Sequence, residues 1–179
     1  MAAHHCLGFR TLVGQSLKYV AEQDGSWVAL VGWGAAAFRC GPRDRWIGWT
    51  QSQQWQRLHF IANNLRFLIL PGPRRPSLAS KVLGANLRRL SSDWQEIFGH
   101  PIVLAETFVD PDFAGTCHRA AGWQELGMTQ GYRRNGGRHH YHGRPESIWV
   151  RPLHRRGREW LAAPSMFQPS SPEAPTCPI

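Results

Sequence analysis

The chain has 179 residues, 42% of them apolar, which is enough for one domain with a sizeable core. Net charge is +9, and of 21 basic residues only Lys18 and Lys81 are lysines, leaving 19 arginines. No run is long and apolar enough to span a bilayer as a helix, and no signal-peptide pattern opens the chain, so the expectation is a cytoplasmic protein.

Residues 1–25 read as an entry segment, with Leu12-Val-Gly14 as a short edge strand. Gln15 to Gln23 holds Leu17, Tyr19, Val20 and Ala21, too few apolar residues to set a helix. Asp24-Gly25 is a turn signal. Trp27 to Val31 predicts a strand, Gly32-Trp-Gly34 a tight bend or bulge and Ala35 to Phe38 a second strand, together an antiparallel hairpin. Cys40 to Arg45 reads as a loop. Thr50 or Ser52 caps a helix over about 53–63 whose apolar face is Trp55, Leu58, Ile61 and Ala62, with Asn63-Asn64 as its stop.

Arg66 to Leu70 is a short apolar run ending at Pro71, the pattern of a buried strand. Ser77 stands where a helix N-cap belongs. Leu83, Leu87, Leu90, Trp94 and Ile97 then recur at helical spacing until Gly99 and Pro101. Ile102 to Val109 is the next strand. Strand, basic loop, long helix and strand predict a parallel pair joined by a helical crossover. Asp110 to Asp112 is a turn, Phe113 to Ala121 a short helix, Trp123 to Thr129 a strand and Ser147 to Arg151 a last strand. Between these two strands lies a loop, Gly131 to Arg144, rich in Arg, His and Gly. Residues 159–179 carry five prolines and read as a disordered tail.

Several clusters invite a chemical reading. Arg74, Arg75 and the helix start at Ser77 suit a phosphate, against the plainer reading of a solvated loop. Arg133, Arg134, Arg138, Arg144, Arg155 and Arg156 form a basic C-terminal region with aromatics among them, suited to a nucleic-acid backbone. Asp44, Glu106 and Asp110 are the carboxylates a metal-dependent nuclease would need to converge. The alternative pairs Glu106 with an arginine such as Arg66 and leaves Asp110 as a turn residue. Cys6, Cys40, Cys117 and Cys177 show no C-x-x-C spacing, which with the absent leader suggests reduced thiols in the cytoplasm. No metal set is read from the His-rich loop, which lacks the fixed spacing of structural zinc sites.

Leu12-Val-Gly14, Leu17-Lys-Tyr19, Leu30-Val-Gly-Trp33, Arg43-Asp-Arg-Trp-Ile-Gly-Trp49, Ala62-Asn-Asn64, Leu87 to Trp94, Glu106-Thr-Phe-Val-Asp110, Arg119-Ala-Ala-Gly-Trp123 and His142-Gly-Arg-Pro145 occur in an order that resembles the DruA family. That resemblance spans about residues 5–153. It implies a component of the Druantia bacterial anti-phage system, or a relative accompanying mobile elements, with other defence-system proteins as partners. Met1 stands just ahead of the first matching block, which leaves a shortened family member open. The element order is also similar to GNAT acyltransferases. This second resemblance implies a single α/β domain over 26–158 with a mixed, twisted sheet. It also implies acetyl-CoA held by a Q/R-x-x-G-x-G/A loop, whose spaced glycines are missing from Pro71 to Ser80. The expectation is a nucleic-acid-associated accessory protein binding DNA or RNA phosphates through its arginines. The alternatives are a GNAT-like N-acyltransferase and a metal-dependent nuclease.

Overall fold

A computed structural model describes residues 14–73, 75–135, 138–141 and 144–164, with the backbone alone over 132–135 and 138–141. The elements run β1 (Ser16–Gln23), β2 (Ser26–Ala35), α1 (Gly41–Ile47), α2 (Gln51–Arg57), a 3-10 turn (Leu58–Phe60), β3 (Ile61–Ile69), α3 (Leu78–Phe98) and β4 (Leu104–Val109). There follow α4 (Thr116–Ala120), β5 (Gln124–Met128), β6 (Tyr132–Asn135), β7 (Arg138–Tyr141), β8 (Ser147–Pro152) and α5 (Gly157–Ala162). Six strands form one mixed sheet in the order β1-β2-β3-β4-β8-β5, while β6 and β7 pair as a separate ribbon. No helix among the described residues is long and apolar enough to cross a membrane.

The central β3–α3–β4 unit is as the sequence predicts, with β3 and β4 parallel. Their pairing runs only from Ile61 opposite Leu104 to Asn63 opposite Glu106. Beyond it β3 pairs with β2, and β4 with β8. Two cores flank the sheet. On one face Ala29, Val31, Trp33, Ala105, Trp123 and Trp149 meet Val82, Leu87, Leu90 and Trp94 of α3. On the other, Ile61, Leu104 and Val150 meet Ile47, Phe60 and Leu161. Each fully buried aliphatic side chain contributes about 1.5–3 kcal/mol.

Several boundaries differ from the sequence reading. Gln15 to Gln23 is mostly strand, with Leu17, Tyr19 and Ala21 alternating onto the core. β2 is continuous, so the glycines mark a bulge between Gly32 and Trp33, one of the two readings of the sequence, and no hairpin turn. The hairpin turns instead at Asp24 and Gly25, both at positive φ, and joins β1 to β2. Cys40 to Arg45 is not a loop. Pro42 starts α1, and left-handed Gly48 ends it. Thr50 does cap α2 through a capping box with Gln53, but the helix stops at Arg57. Asn63 and Asn64 are buried strand residues, and Asn64 Nδ2 donates to the Gly32 carbonyl at 3.1 Å. Ile97 leaves the apolar stripe of α3 and is 59% exposed. α5 occupies Gly157–Ala162, where a disordered tail was expected, because Leu161 is fully buried in the second core. Leu12 and Val13, and residues 165–179 of the tail, lie outside the described residues.

α4 rests on aromatic rings. His118 lies 5.5 Å from Trp123, 6.2 Å from Trp149 and 6.4 Å from Phe67, centroid to centroid. Gly115 makes this approach possible: at φ +62° a side-chain Cβ would sit 2.5 Å from the Trp149 ring. Burial pushes the His118 pKa from its ordinary 6.5 down to about 4. The folded state therefore holds the neutral imidazole, while the unfolded chain takes a proton below 6.5. This contribution is complete above pH 6.5 and is lost as pH falls toward 4, by about 3 kcal/mol in all. Denaturant unfolding at pH 7 and pH 4 should show a smaller stability loss in His118→Phe than in the parent chain. Equal losses would refute the buried neutral imidazole.

Candidate nucleic-acid interface

The three carboxylates singled out in the sequence do not converge as a set. Glu106 is fully buried on β4 and pairs with Arg43 of α1, Nη1 to Oε2 at 2.8 Å, both side chains at 0% exposure. Its partner is thus Arg43 rather than Arg66, because α1 folds over this end of the sheet. Glu106 Oε1 also accepts from the Ala37 N–H at 3.0 Å. Arg43 donates further to the Ala37 carbonyl at 2.8 Å, the Phe38 carbonyl at 3.4 Å and Asp44 Oδ1 at 2.8 and 3.0 Å. Burial disfavours its charge, but Glu106 and Asp44 outweigh that and hold the guanidinium pKa above its ordinary value. Asp44 accepts as well from the Cys40 N–H at 3.1 Å and Trp49 Nε1 at 3.2 Å. Asp44 and Glu106 are therefore brought together by an arginine.

Asp110 is four residues beyond Glu106, about 13 Å along a strand. The Asp112 N–H, and then Arg144, hold its carboxyl below the usual range. Arg144 bridges Asp110 at 2.8 Å and also Asp112. Among the described residues no group of three or more His, Cys, Asp or Glu is placed to hold a metal. Burial pushes the Cys117 thiol up, and its Sγ lies 3.6 Å from His118 Nδ1.

The basic residues fall into three groups. Arg43 and Arg57 are buried and serve the fold. Arg57 Nη1 donates to the Trp160, Leu161 and Ala163 carbonyls at 3.1, 2.9 and 2.7 Å, closing the end of α5. Arg89, Arg119, Arg144 and Arg156 meet surface carboxylates. Arg39, Arg45, Arg88, Arg151, Arg155 and Arg158 are exposed and in no ion pair, among the described residues. Arg45 is not among the expected sites, because nothing in a short apparent loop marks it as a helix presenting charge, and neither is Arg39, which lies just ahead of that helix.

Of the expected phosphate sites, Arg74 lies outside the described residues, as do the side chains of Arg133, Arg134 and Arg138 on the β6–β7 ribbon. Arg75 donates to Gln23 Oε1 at 3.1 Å. Ser77 does precede α3, but at φ 58° and with no side-chain cap bond. The same loop tests the fit of acetyl-CoA. Pro71, Pro73 and Pro76 have no N–H, and the Leu78 N–H donates to the Arg75 carbonyl at 3.3 Å. Among the described residues of this loop no cradle of backbone N–H groups for a pyrophosphate is built, and these residues do not fit that cofactor.

The Arg43–Glu106 pair makes a stability prediction separable from catalysis. Glu106→Ala strands a buried guanidinium and should cost about 3–5 kcal/mol, whereas Arg43→Met with Glu106→Leu should recover most of it. Urea midpoints for the three chains check this. An unchanged midpoint for Glu106→Ala would show that the pair does not hold the fold.

The DruA family, described as Druantia protein DruA, matches residues 1–143. No curated protein matches the chain. Among solved structures, aminoglycoside acetyltransferase AAC(6')-Ib in complex with coenzyme A is similar at 15% identity and TM-score 0.51, over 80% of this chain and 69% of that one. The same enzyme with ribostamycin and coenzyme A gives the same identity and TM-score over 84% and 70%. A ribosomal-protein-alanine N-acetyltransferase from Brucella melitensis is similar at 13% identity and TM-score 0.48, over 75% and 67%. At such identities the likeness to AAC(6')-Ib establishes a GNAT-type fold and nothing of its chemistry. With four fifths of its sequence matched, the chain belongs to the family of Druantia protein DruA.

Proposed function

We propose that the protein is a nucleic-acid-associated accessory component of a bacterial phage-defence or mobile-element system, binding the phosphate backbone of DNA or RNA through its arginines. The observation that carries this is the distribution of charge. A net charge of +9 is not absorbed by internal pairing, and six exposed arginines stand in no ion pair among the described residues. Membership of the DruA family supplies the defence setting and makes other defence-system proteins natural partners. Backbone binding needs clustered positive charge and little else in the way of geometry, which suits a surface without a cofactor cradle.

Fluorescence anisotropy with labelled duplex DNA, single-stranded DNA and RNA across a salt series tests the proposal. Affinity should fall steeply with salt, and changing Arg133, Arg134 and Arg138 to Ala should flatten the log–log slope by about 2 to 3. Changing Arg74 and Arg75 together reports on the central loop in the same way. Absence of binding to all three at low salt would defeat the reading.

A further inference from the structure

The helical layer formed by α1, α2 and α5 carries an exposed aromatic platform among its charges. Trp55 of α2 is 65% exposed, although an indole of this size normally seeks cover. Phe38 braces it, ring centroids 4.3 Å apart. Phe38 is itself fixed, because its carbonyl accepts from Gln54 Nε2 and from Arg43 at 3.4 Å. Arg39 follows it at the surface. On the neighbouring helices Arg45 is exposed, and the Arg158 guanidinium lies over the Trp46 ring at 5.1 Å. Carboxylates here are already engaged. Asp44 is the sole acid between residues 38 and 57 and is held by Arg43, and Glu159 pairs with Arg156 at 2.8 Å.

The geometry points to this layer as a single-strand-binding surface, on which Trp55 stacks an unpaired base and Arg39, Arg45 and Arg158 take the flanking phosphates. The inference rests on the nucleic-acid reading above and deepens it. Single strands are favoured over duplex because a lone exposed ring needs an open base face, which paired and stacked bases do not offer. Nucleic acid is favoured over an acidic protein because only it combines regular phosphates with a ring to cover the indole. Arg158 is already held against an aromatic face, so its donors are positioned before the strand arrives.

The test uses the full chain with a labelled single-stranded oligonucleotide and a duplex of the same length. Trp55→Ala should weaken single-strand binding by at least about fivefold and leave duplex binding unchanged. Trp55→Phe should keep most of the affinity. Changing Arg39, Arg45 and Arg158 to Ala should lower the log–log salt slope for single strands by about 2. Circular-dichroism melting confirms that these exposed changes leave the fold intact. If the parent chain binds but the Trp55→Ala chain and the triple variant bind as it does, this surface is not the interface, while the broader reading stands. Equal weakening of single strand and duplex in Trp55→Ala would also overturn the platform. If the parent chain binds neither, both proposals fall.

Discussion

A buried ion pair, Arg43 to Glu106, ties the two halves of this structure together. Removing both charges from water costs several kcal/mol per ion, so such a pair persists only when its remaining donors and acceptors are used. Here they are. The five N–H groups of Arg43 match five donated bonds, to Glu106, to the Ala37 and Phe38 carbonyls and twice to Asp44. The pair therefore fixes more than a helix against a strand. It holds the chain leaving β2, orients α1, and through the Phe38 carbonyl meets Gln54 of α2. Arg57 then fastens the end of α5 to α2. Two buried arginines thus assemble a helical layer whose apolar core is modest.

The position of Glu106 explains why this tie falls where it does. It is the last residue of β4 to pair with β3, so the ion pair sits where the two strands part. On the opposite face the gap is closed by other means. Thr107 Oγ1 donates to the Asn64 carbonyl at 3.1 Å, and Asn64 reaches back to β2. Above them Trp33 stacks on Trp123 with ring centroids 6.3 Å apart, and His118 fills the space beside Trp123 and Trp149. One face is thus held by aromatic packing and the other by charge. The first is closed, and the second leaves arginines and Trp55 at the surface.

The strand–helix–strand centre was legible because its periodicities are long and clean: Leu83, Leu87, Leu90 and Trp94 do lie on the buried face of α3. Short elements were not legible. Seven residues of α1 and seven of α2 offer too few turns for a stripe, and the apolar run Leu58 to Ala62 reads equally as helix or strand. Asn63 and Asn64 look like a stop until tertiary structure supplies their partners. The candidate site suffered from the same limit. A sequence shows Asp44 and Glu106 as free carboxylates, since the arginine that joins them is 63 residues from one and next to the other. Clustering in the chain does not separate open arginines from paired ones, since Arg155 stays open beside Arg156. Arg144 and Arg156 meet carboxylates, while isolated Arg39 and Arg45 do not.

A GNAT-type sheet without the loop that cradles coenzyme A is physically coherent. The loop before α3 lies outside both cores, so replacing spaced glycines with three prolines removes N–H donors without disturbing the packing of α3. Prolines also stiffen the entry to the helix and reduce the entropy lost on folding. Ser77 at positive φ then starts α3 without a side-chain cap, and the long amphipathic face carries the helix regardless. Exposed arginines stand away from this loop, Arg39, Arg45 and Arg158 among them, and the shape shared with the acetyltransferases says nothing of their chemistry.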